Sequence, residues 1–415
     1  MLSPPATKAP GRGFVAAFVL AYFGLWVSLL APIIITLQLR VKEVAPGREG
    51  AVLSLVLAVG AILGLIVNPI AGRLSDRTTS RFGMRRPWLV AGALTAFAGA
   101  VTMALAPGVT GLVTGWAVAQ VGFNTTLAVL LALLPDHVGA QRRGLVSGLL
   151  GLGQGFAAVA GAALAGGVAD RNLAAGFLIP AVIGLVCGLA VVPVLHDRRL
   201  EPGERSPLTL RELTGAYMFS PRRHPDFGWA WLSRFAIFMA TAAVLNYQLF
   251  YLVAQIGQDE TAAAGIVAAG TGVQTAVVIV ASTLSGWLSD RLRRRRVFVI
   301  ASALACGAGL LVMASAEALP GYFVAMILIG LGQGIYFSVD LALIADVLPD
   351  RDRDAAKDLG VINVANLLPQ SLAPAIAPLL LGIGGATDNY PALFVAGAVF
   401  AALSAAAILP IRSVR

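Results

Sequence analysis

Twelve long apolar runs dominate the sequence and leave few folds open to it. They lie at roughly 14–38, 50–71, 88–106, 109–134, 144–168, 174–195, 227–254, 262–285, 297–315, 319–345, 358–383 and 390–410 of 415 residues. A helix that crosses a bilayer needs roughly 20 apolar residues, and each run supplies about that many. Charged residues make up 12% of the chain, about half the density of a soluble globular protein, too few to coat a water-facing surface of this size. With 58% hydrophobic residues and a mean hydropathy of +0.83, the chain is also far too apolar to be disordered. The expected fold class is an all-α integral membrane protein with 12 transmembrane helices.

One connection is longer and more polar than the rest: His196 to Asp226, rich in Pro and Arg. It divides the chain into an N-terminal six-helix bundle (1–195), a central loop (196–226) and a C-terminal six-helix bundle (227–415). Lys and Arg accumulate in cytoplasmic loops. With the N-terminus inside, 25 of the 30 Lys and Arg residues fall in cytoplasmic segments. Arg40, Lys42, Arg48 and Arg171 fall outside, and Arg234 lies within helix 7. The net charge of +9 is therefore a topology signal rather than an affinity for nucleic acid. Both termini are expected in the cytoplasm, with the chain a monomer in the plasma (cytoplasmic) membrane. Residues Met1 to Gly13 read as a short polar tail, and no cleavable signal peptide is expected. Cys187 and Cys306 sit inside apolar runs, where packing is expected rather than a disulfide.

An internal repeat supports the division into halves. Gly72-Arg73-Leu74-Ser75-Asp76-Arg77 returns as Gly286-Trp287-Leu288-Ser289-Asp290-Arg291, and Leu134-Pro135-Asp136 returns as Leu348-Pro349-Asp350, both at an offset of 214. Two separate matches at one offset imply two pseudo-symmetric six-helix bundles in parallel topology, an arrangement common among transporters.

The Gly-x-x-Ser-Asp-Arg motif between helices 2 and 3, echoed between helices 8 and 9, resembles the major facilitator superfamily over nearly the whole chain. The resemblance implies two bundles rocking around a central cavity. The stretch Ser75 to Trp88 is similar to the loop of sucrose-type proton symporters, and Asn68-Pro69 is similar to helix 2 of the related glycoside–cation symporters. Melibiose-type members carry cation-binding Asp residues in helices 2 and 4. This chain offers Asn68 and Asn124 there, which favours a proton over sodium as coupling ion. The resemblance also assigns gating. Asp76 and Asp290, at the ends of helices 2 and 8, are expected to meet the positive N-termini of helices 11 and 5. Gly72, Arg77, Arg81, Asp136, Arg143, Gly286, Arg291 and Asp350 complete the gating set, with the arginines pairing to acids such as Asp136 and Asp350.

Asp340 is the sharpest single residue. It lies within helix 10, about 12 Å from the helix end near Leu348 at about 1.5 Å per residue. A carboxylate at that depth is costly unless paired or protonated, so Asp340 is the candidate proton-coupling residue. The repeat places Thr126 at the matching position of helix 4, so only one half carries the acid. Arg234 is the candidate ion-pair partner for Asp340 or Asp346, with snorkelling to the surface as the other reading.

Neutral polar and aromatic residues recur at helical spacing: Tyr22 and Trp26 on helix 1, Gln120 and Asn124 on helix 4, Asn246, Tyr247 and Tyr251 on helix 7, Gln274 on helix 8, Gln333 and Tyr336 on helix 10, and Asn363, Asn366 and Gln370 on helix 11. Gln154 on helix 5 joins them. Polar faces within membrane helices must point at each other or at water. Amides and aromatic faces with almost no charge suit a small neutral solute, a sugar best.

The expected function is thus secondary active transport, a proton-coupled symport of sucrose or another small glycoside. The alternative is a proton-driven exporter of drugs or metabolites. Helix 4 has Gln120-Val121-Gly122 but no Arg, unlike the drug-antiporter branch. An enzyme is not expected: His137, His196 and His224 lack metal-ligand spacing, and no nucleophile–base pair is evident. No metal or cofactor is expected beyond the proton. Glycine pairs at four-residue spacing, Gly60/Gly64, Gly144/Gly148, Gly151/Gly155 and Gly330/Gly334, are read as helix-packing contacts. Pro32, Pro69, Pro369, Pro374 and Pro378 are expected to kink their helices.

Overall fold

The computed structural model describes residues 12–169, 171–200, 224–292, 294–347, 355–385 and 389–411. Among them every regular element is helical, and twelve helices are long and apolar enough to cross a membrane. In chain order they are α1 (Arg12–Ala31, continued by Pro32–Thr36 and Leu37–Val44), α2 (Glu49–Ser75), α3 (Arg86–Ala104), α4 (Val109–His137), α5 (Ala140–Ala169), α6 (Leu173–Val194), α7 (Pro225–Ala254), α8 (Glu260–Leu292), α9 (Arg295–Ser315), α10 (Leu319–Val347), α11 (Ala355–Leu381) and α12 (Tyr390–Ile408). These follow the twelve apolar runs to within a few residues, except that several helices extend further into the loops.

The chain groups into two compact units. One comprises Met1–Arg40 with Ile62–Leu208, the other Val41–Ala61 with Thr209–Arg415. The outer segment of α1 and the first half of α2 thus pack with the C-terminal helices: the Ser54 and Tyr247 hydroxyls lie 2.6 Å apart, both buried, and Lys42 pairs with Glu260.

The first unit is closed by α3 and α4, which approach until their backbones touch. A Cβ on Gly122 would lie 2.1 Å from the Ala96 nitrogen, and one on Gly99 2.3 Å from the Ala119 nitrogen. Only glycine permits that spacing, the membrane counterpart of a small-residue seam. The same device recurs in α9 and α10, where a Cβ on Gly332 would lie 2.6 Å from the Ser302 carbonyl oxygen. Gly330 and Gly334 pack α10 on α8 as the four-residue spacing suggested. Gly148 and Gly151 do not pack this way. Nothing lies within 4 Å of a Cβ at either, because α5 turns Val146 and Leu150 to the core instead.

Pro32 lacks an N–H and cannot continue the α-helical ladder. The chain answers with a π turn over Pro32–Thr36 rather than a break. Gln38, fully buried, donates its amide to the Ile33 and Ile34 carbonyls, both at 2.9 Å. Pro69, Pro369, Pro374 and Pro378 lie within continuous helices. Asn172 and Asn389 cap α6 and α12 alike, each accepting from the third residue beyond at 3.0 Å. Both cysteines are free. Cys306 is fully buried against Gly332, and Cys187 packs on Gly24.

Candidate functional site

The loop joining α2 to α3 is tied down by one arginine. Arg85 is 4% exposed. Its guanidinium reaches Asp76 at 2.6 Å, Asp136 at 2.9 Å and the Ser75 hydroxyl at 2.9 Å. The planar fork of arginine suits several acceptors at once, and here it joins the end of α2 to the end of α4. The start of α3 is held from elsewhere. One carboxylate oxygen of Asp197 accepts from the backbone N–H groups of Arg85 and Arg86 at 2.7 and 2.8 Å. It acts as an N-cap supplied from beyond α6, satisfying donors that no preceding turn can. Gly83, at φ +102°, brings the loop so close that a Cβ there would lie 2.2 Å from Asp197. Trp88 donates to Thr78 at 2.7 Å, closing the same loop. Removing the cap with Asp197→Ala is expected to lower stability by about 1–2 kcal/mol. A fall in Tm with the helix content of the folded protein unchanged is the readout, and an unchanged Tm would refute the capping role.

In the core of the first unit, α4 makes an aromatic contact to α1 and, on the next residue, an amide contact to α2. Tyr22 and Trp26 of α1 meet edge-on at 6.0 Å, and Trp26 meets Phe123 of α4 edge-on at 5.5 Å. On the next residue of α4, Asn124 donates to the Gln120 side-chain oxygen and to its carbonyl, both at 2.9 Å. Gly64 of α2 passes directly over this amide: a Cβ there would lie 2.9 Å from the Asn124 nitrogen. Asn68 of α2 reaches the Asn124 carbonyl at 3.4 Å. Tyr22, Gln120 and Asn124 are buried. Gln154 is half-buried on α5, and no contact among the described residues joins it to this group.

The second unit divides its polar residues differently. Arg234 is buried at 8% exposure, with Nε 2.5 Å from the Asn366 side-chain oxygen of α11 and its guanidinium 5.6 Å from the Phe238 ring centre. Tyr336 of α10 meets Phe238 edge-on at 6.4 Å. Arg234, Phe238, Tyr336 and Asn366 thus form one polar–aromatic group from three helices, and the arginine stays inside the unit rather than extending to a surface. Gln274 donates to Gln333 at 2.9 Å, a link between α8 and α10. Other candidates serve packing contacts. Tyr251 donates to the Met313 and Ala316 carbonyls at the end of α9, Tyr247 bonds Ser54, and Asn246 bonds its own helix at Ala242. Gln370 is half-buried on α11.

Among the remaining gating candidates, Arg81 lies over Phe82 and Arg291 over Trp287. Arg77 lies in the turn that ends α2, its backbone N–H donating to the Leu74 carbonyl at 3.2 Å, and a Cβ on Gly72 or Gly286 would meet Ala128 or Ser338 at ordinary contact distance. Asp340 is in the helical backbone of α10, one turn beyond Tyr336. The side chains of Asp340, Asp346, Asn363, Arg143 and Asp290, and all of Asp350, lie outside the described residues.

The sequence profile of the Major Facilitator Superfamily matches residues 13–374 and 251–414. The chain belongs to the major facilitator superfamily. Similar proteins include a sucrose transport protein of Arabidopsis thaliana, 36% identical over 99 residues, which are 23% of this chain and 18% of that protein. A sucrose transport protein of Oryza sativa subsp. indica is 31% identical over 123 residues, 30% of this chain and 16% of that one. The chain spans less than a fifth of the length of these curated relatives. The fold is shared with a bacterial homologue of the human lysosomal transporter Spinster, solved in inward-facing unoccupied and occupied conformations. The unoccupied structure has a TM-score of 0.71 and 15% identity over 97% of both chains. This superfamily member is therefore a multi-pass integral membrane protein.

Three residues of the superfamily member's sites were not singled out by sequence. Arg85 was one of five cations in the α2–α3 segment, with nothing in its spacing to mark it as the buried one. Asp197 follows α6 by a handful of residues but caps α3, a contact across 111 positions that no local pattern reveals. Phe238 sits one turn from Arg234 on α7, and that i, i+4 spacing was the available signal.

Proposed function

We propose that this superfamily member is a proton-coupled sugar symporter that imports sucrose or a related small glycoside by alternating access, with both termini in the cytoplasm of a plasma membrane. The observation that carries the reading is the make-up of α4 and its neighbours: two linked amides, Gln120 and Asn124, and, packed on the adjacent Phe123, the indole of Trp26 with the phenol of Tyr22 beside it, with no charged side chain in either contact. Hydroxyl-rich neutral ligands are recognised by amide donors and acceptors with aromatic faces against their C–H surfaces. The sucrose transport proteins that match part of the chain support the same substrate class. Asp340 is assigned the coupling proton with Arg234 as its ion-pair candidate, and within the second unit Tyr336, Asn366, Gln274 and Gln333 are assigned to solute recognition.

The test is uptake of labelled sucrose, maltose and glucose into proteoliposomes with the acid side outside. Accumulation against a gradient supports the reading. Movement of a hydrophobic dye with none of the sugars would overturn it in favour of the exporter. Asn124→Ala removes one amide from the recognition surface and is expected to weaken sugar binding by roughly 2- to 13-fold, the equivalent of about 0.5–1.5 kcal/mol for one lost hydrogen bond. Half-saturation for counterflow measures it, and an unchanged value removes Asn124 from the site.

A further inference from the structure

A second binding feature of the first unit lies apart from the amide group and does not depend on the transport reading. A half-open groove of about 720 Å³ runs between α1 and α5, within the roughly 300–1,000 Å³ of ordinary ligand sites. Its walls are aliphatic and aromatic, including Val19, Phe23, Leu149 and Phe156, and Gly153 forms its floor against Val19 and Phe23. Leu20 and Phe156 are 45% and 56% exposed along it. Among the described residues one charged side chain lines the groove: Arg142, exposed, in the first turn of α5. No acid among the described residues pairs with it.

We propose that this groove holds one acyl chain of an anionic membrane phospholipid, with the headgroup phosphate on Arg142. From Arg142 to Phe156 the α5 wall is about 21 Å long at about 1.5 Å per residue, enough to span one leaflet of a hydrocarbon core roughly 30 Å thick. The cation sits at the end of the groove nearest the Arg85 loop, where α4 ends and α5 begins. A sugar is a poor occupant, since among the described residues Arg142 is the only lining side chain that can hydrogen-bond. Apolar walls alone give no preference over bulk lipid, because lipid tails are equally apolar. Selection must come from Arg142 and the positive N-terminal end of α5 acting on a phosphate.

The experiment uses the full-length protein in phosphatidylcholine vesicles. They are doped at equal low fraction with phosphatidylglycerol or phosphatidylcholine carrying a photoactivatable group in the acyl chain. Crosslinks are mapped by peptide mass spectrometry. The expected result is labelling of the α1 segment 15–23 and the α5 segment 149–156, stronger for phosphatidylglycerol by roughly fivefold, the weight of one surface cation on an anionic lipid. Arg142→Gln should erase the preference and Arg142→Lys keep it, while Gly153→Leu should reduce labelling by both lipids severalfold. Equal labelling of the wild type by the two lipids would overturn the proposal and leave only bulk lipid against an apolar face. A preference that survives Arg142→Gln would overturn it as well. The wild-type comparison needs no variant to fold.

Discussion

Arg85→Ala is expected to destabilise the first unit by about 2–4 kcal/mol and to abolish transport. Removing one member of a buried ion pair typically costs about 3–5 kcal/mol, because the partner charge is left behind. Here two partners are left. Asp76 and Asp136 both bond one guanidinium, and without it two carboxylates face each other across the ends of α2 and α4. Their side chains are 49% and 35% exposed, so water relieves part of the penalty and the estimate sits below the fully buried range. Arg85→Lys restores the charge but not the fork, since a point cation cannot reach Ser75, Asp76 and Asp136 together. It should fall between wild type and Arg85→Ala. A thiol-reactive dye that reports exposure of Cys306 and Cys187 on heating measures the melting, and sugar flux is recorded in parallel. A melting curve for Arg85→Ala that overlays the wild type would show that the network is ornamental to the fold.

The helices were legible because hydrocarbon imposes a length on them. About 20 apolar residues must be continuous, and polar residues collect where the chain leaves the bilayer. The repeat was legible because Gly72-to-Arg77 and Leu134-to-Asp136 recur at one offset. The seams that bring the helices together were not. Gly92, Gly99, Gly115 and Gly122 join α3 to α4, while Gly148 and Gly151 meet nothing within 4 Å, although all six are glycines inside apolar spans. A glycine permits a close approach, and only the partner helix decides whether one occurs.

The candidate site was legible by residue type more than by contact. Helical spacing put Gln120 with Asn124 and Tyr22 with Trp26, and both pairs meet in the structure. The same spacing put Tyr247 with Tyr251, which part company: one hydroxyl bonds Ser54 of α2, the other the carbonyls that end α9. Residues i and i+4 share a helix face, but a 30-residue helix touches several neighbours along its length. A shared face therefore fixes direction without fixing the partner. Arg85 and Asp197 fall beyond any such rule, because their bonds join segments 51 and 112 positions apart.

Asp340→Asn is expected to abolish accumulation of sugar while leaving exchange intact. A pH difference of one unit stores about 1.4 kcal/mol per proton, which at one proton per sugar drives roughly tenfold accumulation. If Asp340 carries that proton, its amide mimics the loaded form permanently. The carrier can still bind and exchange sugar, so counterflow persists, but no proton is released to the low-concentration side and the accumulation ratio falls to one. The helical register supports the choice of this residue. Phe238 and Tyr336 touch, and α7 and α10 cross the bilayer in opposite senses as odd- and even-numbered spans. Four residues back along α7 is Arg234, and four residues on along α10 is Asp340, so both steps lead the same way. Arg234, held by Asn366, is thus the cation on the same level of the unit as the backbone of Asp340. Arg234→Gln should then impair release of the proton, slowing gradient-driven uptake more than counterflow. Tenfold accumulation by Asp340→Asn would place the coupling proton on another group. Loss of counterflow along with accumulation would make Asp340 a sugar ligand instead of a proton carrier.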